Sequence, residues 1–162
     1  MPMTRLSASI EVNAHLDDVW AFASDWRHWD DWWDSASGFR PTTELTRGNG
    51  TRYAYRAWVA GLTLNLEAEI HDFVEKVGWR AVGTKGLPHR TQWVFEKLNG
   101  RTRLTYILEY SLPIPVLGAL LDRMLMRPGW QRRLEASLGN LKRRFEAGKE
   151  TPANAGARGA GA

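Results

Sequence analysis

The chain has 162 residues, enough for one domain with a substantial core, and its 43% hydrophobic and 25% charged content excludes a disordered or largely membrane-embedded protein. It contains no cysteine, so disulfides, thiolate zinc sites and cysteine nucleophiles are excluded. The formal charge of +4 is unevenly spread: Arg123, Arg127, Arg132, Arg133, Lys142, Arg143 and Arg144 face only Glu135 within that segment.

Leu6, Ala8, Ile10 and Val12 alternate with Ser7, Ser9 and Glu11, which predicts a half-buried strand. Asn13 is placed to cap the short helix that Leu16 to Ser24 predicts, with Asp17 and Asp18 at its positive end. Trp26 to Trp33 predicts a second helical segment with Trp26, Trp29 and Trp33 facing inward. Turn signals then separate six runs of strand-forming residues: Phe39–Thr46, Thr51–Val59, Leu62–Val74, Val77–Thr84, His89–Leu98 and Arg101–Leu112. The alternation is cleanest at Leu62, Leu64, Leu66, Ala68 and Ile70. Asn99-Gly100 predicts a type I′ hairpin, whose two turn positions both need positive φ. Consecutive strands with short turns make an antiparallel meander.

After Pro113-Ile-Pro115 the period becomes helical, with Leu117, Leu120, Leu121, Met124 and Leu125 on one side and then Leu134, Leu138, Leu141 and Phe145. Pro128-Gly129 predicts a kink or break near Arg127. Residues 1–147 therefore form one domain, and the Gly/Ala-rich segment 148–162 is expected to be a disordered tail.

Ile10 to Trp20, Asp25 to Trp29, the Arg103–Tyr110 strand and Leu134 to Glu146 together resemble the SRPBCC, or START-like, superfamily of polyketide cyclases/dehydrases and lipid-transport proteins. The likeness runs from about Thr4 to Glu146. It implies an α+β helix-grip fold: a seven-stranded curved antiparallel sheet, two short helices and a long C-terminal helix over a hydrophobic cavity. Pro128-Gly129 departs from the unbroken last helix of that family.

With the apolar face of each strand turned inward, the cavity is lined by Tyr53, Tyr55, Leu64, Leu66, Trp79, Trp93, Phe95, Tyr106, Leu108 and Tyr110, with Leu121, Met124 and Leu125 from the helix. Phe39, Thr43, Ala81 and Thr91 share that register. An apolar lining with a few hydroxyls is the usual make-up of a small-molecule site. Nine tryptophans serve either as packed core or as its wall. Tyr106 and His89 are the candidates for acid–base chemistry, with Tyr53 and Tyr55 beside them; His89 continues the inward register at a strand end, without an identified orienting partner. His15, His28 and His71 read as surface residues, and no cluster has metal-ligand spacing.

Three functions follow as alternatives. The first is binding or transport of a hydrophobic lipid, isoprenoid or polyketide-like molecule. The second is a polyketide cyclase, aromatase or dehydratase-type enzyme, and the third a non-catalytic interaction module. No metal and no cofactor is expected. The basic C-terminal helix suits peripheral contact with an anionic membrane, whereas no nucleic-acid motif accompanies its charge. The N-terminus lacks a secretory-signal pattern and no stretch reaches the ~20 apolar residues that cross a bilayer, so a cytoplasmic location is expected.

Overall fold

The computed structural model describes residues 3–59, 61–112, 120 and 122–157. Strand β1 (Thr4–Val12) leads into α1 (Leu16–Ala23), a 3-10 turn (Trp26–His28) and α2 (Trp29–Trp32). The meander follows: β2 (Ala36–Pro41), β3 (Arg52–Val59), β4 (Leu62–Val74), β5 (Gly78–Lys85), β6 (His89–Lys97) and β7 (Thr102–Tyr110). A π-helical turn (Asp122–Met126) then runs directly into α3 (Arg127–Ala157). The seven strands form one antiparallel sheet in the order β1-β7-β6-β5-β4-β3-β2, so the first strand closes against the last. This is the helix-grip α+β architecture.

Short-range differences from the sequence reading have local causes. The edge strand β2 lies earlier than expected: it pairs from Ala36 to Pro41, with an irregularity between Ser37 and Arg40. Ser-Gly there hides the strand from propensity, and edges are where proline and bulges are tolerated. The β6–β7 hairpin forms at Asn99-Gly100, but only Gly100 takes positive φ, 72°, so the turn is not type I′. His15 rather than Asn13 occupies the N-cap of α1, and its side chain makes no capping bond. The Trp26–Trp33 segment splits into a 3-10 turn and an α turn, which changes the phase. Trp29 and Trp32 consequently go into the core, while Trp26 and Trp33 are half-buried.

The core fills the concave face of the sheet. Trp79, Trp93, Tyr106 and Ala8 form a cross-strand row from β5 to β1. Trp20, Phe73, Trp79 and Phe95 pack edge-on, tilted or stacked at 4.8–6.2 Å between ring centres. Over this bed α3 lays Trp130, Leu134, Leu138 and Leu141, a stripe at helical spacing, all buried. Three polar links tie α3 to the end of α2. Ser137 Oγ accepts from the Asp34 amide at 2.9 Å, Asn140 donates to the Trp32 carbonyl at 3.2 Å, and Arg133 pairs with Asp34 at 3.3 Å.

The expected irregularity near Arg127 takes a definite form. A proline at 128 offers no N–H and crowds the carbonyl four residues back. The π turn ends at Met126 and α3 begins at Arg127, so the winding changes immediately ahead of Pro128. The wider winding also shifts which residues face inward. Met126 is buried, whereas Met124 and Leu125 are 65% and 55% exposed, so these two do not line the cavity as the unbroken period suggested. Helical backbone continues to Ala157, into the segment for which sequence predicts a disordered tail. Leu117, Leu121 and the Pro113–Pro115 stop lie outside the described residues.

Candidate functional site

Small residues leave the space under α3. Ala57, Ala68 and Ala81 interrupt the large side chains of the concave face, and the aromatic rings around them cannot close over the gap. Two adjoining cavities result, of about 50 and 70 Å³. The first lies deep against the sheet, between Trp29, Tyr53, Trp79, Ala81, Thr91 and Trp93. The second lies towards the start of α3, between Ala36, Leu66, His89, Leu108, Trp130 and Leu134. Trp33, Phe39, Tyr55 and Tyr106 line both and form a waist between them. Phe39 stacks on Tyr55 at 5.0 Å, and Trp33 meets Tyr106 edge-on at 5.2 Å.

A polar pair with a defined geometry sits on this waist. Tyr55 and His89 lie 34 positions apart, and the hydroxyl is 2.8 Å from Nε2. On its other side His89 places Nδ1 2.6 Å from the Leu87 carbonyl. A carbonyl only accepts, so Nδ1 carries the proton and, in the neutral ring, Nε2 accepts from Tyr55. Gly83 makes the arrangement possible: a Cβ there would stand 2.5 Å from Nδ1. His89 is only 4% exposed, and burial lowers its pKa below the usual value, partly offset by the Leu87 carbonyl. The same desolvation raises Tyr55 and Tyr106 well above the ordinary phenol value. Tyr53 is raised to about 12 by burial; its hydroxyl donates to the Thr46 carbonyl at 2.6 Å and so pins the loop after β2. Among the described residues, neither cavity is lined by an arginine, lysine or carboxylate.

Of the expected lining, Tyr53, Tyr55, Leu66, Trp79, Trp93, Tyr106, Leu108 and His89 meet at these cavities, as do Phe39, Ala81 and Thr91. Others do not. Leu64 packs beside the second cavity in the clusters around Met126 and Ala57 without lining it, and Phe95 lies beneath Trp20 and Trp79. Tyr110 is buried against Trp130 at 4.3 Å, with its hydroxyl on Asp122, which also receives Thr4. These contacts tie the π turn to both β1 and β7. Thr43 spends its hydroxyl on the Leu45 carbonyl, and Leu121 lies outside the described residues. Sequence reading missed Trp29, Trp33, Ser35, Ala36, Ala57, Ala68, Ile70, Trp130 and Leu134 as lining; Ala68 and Ile70 were accessible through the clean alternation of their strand, and Trp130 and Leu134 through their four-residue spacing on α3.

Residues 3–146 match the family described as polyketide cyclase / dehydrase and lipid transport. The chain belongs to that family. A comparison with curated proteins finds no match. Among solved structures the chain is similar to TTHA0849 from Thermus thermophilus, with a TM-score of 0.77 and 22% identity over 90% of this chain and 99% of that one. It is also similar to a START superfamily protein from Mycobacterium smegmatis, with a TM-score of 0.71 and 16% identity over 88% and 97% of the two chains. A third, the Zhui aromatase/cyclase from Streptomyces sp. R1128, gives 0.67 and 18% over 88% and 96%. At these identities the structural likeness establishes the fold alone, the curved antiparallel sheet that grips a long C-terminal helix. No helix among the described residues is long and apolar enough to cross a membrane.

Proposed function

We propose that this chain binds a small hydrophobic molecule, of lipid, isoprenoid or polyketide-like character, in the space shared by the two cavities. The observation that carries the reading is the waist. Each cavity alone is smaller than the roughly 150 Å³ at which an apolar cavity takes up benzene. A guest therefore enters by parting Trp33, Phe39, Tyr55 and Tyr106, after which both cavities and the displaced rings contribute one apolar site. Phe39 comes from edge strand β2 and is only partly buried, so it is the ring that moves at least cost.

Native mass spectrometry of freshly purified protein, with extraction of the co-purifying molecule, tests the proposal. Phe39→Ala is expected to join the cavities and to tighten binding of an apolar fluorophore such as 1-anilinonaphthalene. A wild-type protein that carries no guest and a variant that takes up no fluorophore would remove the proposal.

The Tyr55–His89 hydrogen bond also supports a second reading, an aromatase/cyclase or dehydratase-type enzyme in which neutral His89 accepts a proton and Tyr55 orients the substrate oxygen. Loss of turnover in both Tyr55→Phe and His89→Ala, with guest binding retained, would favour it over simple carriage. We further propose that Leu120, Met124 and Leu125, all exposed beside Arg123 and Arg127, meet an anionic lipid surface from which a guest is exchanged.

A further inference from the structure

We infer that the site selects an uncharged guest bearing a hydroxyl, a phenol, enol or alcohol, which donates its proton to the Tyr55–His89 pair; the inference rests on the ligand-binding reading above.

The Leu87 carbonyl fixes the proton on Nδ1, which leaves Nε2 as an acceptor. Tyr55 has one O–H, and it is committed to Nε2 at 2.8 Å. What the pair still offers is lone pairs on the phenol oxygen. If a guest pushes Tyr55 aside, what is exposed is the Nε2 lone pair, again an acceptor. In either position the waist presents a place to donate to, and while Tyr55 keeps its bond to Nε2 an oxygen that can only accept, such as an ether, meets no partner from this pair; an ether gains the Tyr55 O–H only by breaking that bond and leaving Nε2 unpaired. Burial of His89 keeps the ring neutral, so it supplies no positive charge. With no arginine or lysine among the described lining residues, a carboxylate guest would lose its hydration without a counter-ion. Charged fatty acids are therefore disfavoured and neutral hydroxylated molecules favoured. The aromatic walls, Trp33 and Phe39 above all, suit a flat ring system.

Three naphthalenes of nearly equal shape separate these terms: 2-naphthol donates, 2-methoxynaphthalene only accepts, and 2-naphthoate is charged. Hydrophobicity alone ranks the ether above the phenol. Titration followed by tryptophan quenching and calorimetry at pH 7 is expected to show the reverse, with naphthol tighter than the ether by about tenfold, the worth of one buried hydrogen bond. Naphthoate is expected to bind weakest. Tyr55→Phe keeps the preference, because Nε2 is then open to the guest. His89→Leu frees the Tyr55 O–H to donate, so the preference for naphthol over the ether shrinks to near unity. Equal binding of naphthol and ether by the wild type, or tighter binding of naphthoate, overturns the inference while leaving the binding function standing. Failure of all three probes to bind overturns the inference, and joined to the absence of any co-purifying guest it overturns the binding function as well. The wild-type comparison decides the matter even where a variant does not fold.

Discussion

His89 is a buried imidazole whose protonation state is tied to folding. Its folded pKa lies below the usual 6.5, mainly through desolvation, with no charged neighbour contributing. The unfolded chain therefore takes up the proton first as pH falls, and the folded state loses stability through that window. The contribution is complete above about 6.5 and gone once pH has dropped through the folded value. Urea unfolding at pH 7.5, 6.5 and 5.5 is expected to show a larger acid loss for wild type than for His89→Gln. Equal losses would mean the ring is not held neutral. The carboxylates held low by cationic and hydrogen-bonding partners, Glu11, Asp25 and Glu67 among them, act in a lower window, below their ordinary values near 4, and do not confuse the comparison. At this scale the inward register of both His89 and Tyr55 was legible in the sequence. Their meeting was not, because it depends on the curl of the sheet and on the missing Cβ of Gly83.

At the scale of elements, the junction of the π turn and α3 divides the last helix into two parts with different tasks. From Trp130 to Leu141 one stripe of the helix is buried against the sheet, and Ser137, Asn140 and the Arg133–Asp34 pair hold it to the end of α2. Ahead of it, Met124 and Leu125 stand in solvent beside Arg123 and Arg127. Placing negative charge on the apolar pair, Met124→Glu with Leu125→Glu, is expected to abolish cosedimentation with phosphatidylserine vesicles and leave thermal stability unchanged. Retained cosedimentation would remove the lipid-surface proposal. The proline and glycine at 128 and 129 announced the irregularity in the sequence. Its form was not announced, since a helical wheel of constant period cannot register the wider π winding that turned Met126 inward in place of its two predecessors.

Over the whole molecule, the strand meander was legible because each central strand alternates cleanly and ends in a turn signal, whereas β2, at the edge, carries no such pattern. The order of strands was less visible: β1 pairs with β7, Thr4 opposite Tyr110 and Val12 opposite Thr102. Such long-range pairing forms late, because the loop must close before the contacts reward it. Truncating the buried Leu6 of β1 to alanine is accordingly expected to speed unfolding and change the refolding rate by less than about twofold. Slowed refolding with unchanged unfolding, followed by stopped-flow fluorescence, would place β1 in the nucleus instead.

This closure has a consequence during synthesis. Strand β1 leaves the ribosome before its partner and must wait, unpaired, until nearly the whole meander has followed it out, and in that interval the oily underside of the nascent sheet has neither its bordering strand nor its covering helix. Chaperone demand should therefore peak when β7 has emerged and α3 has not.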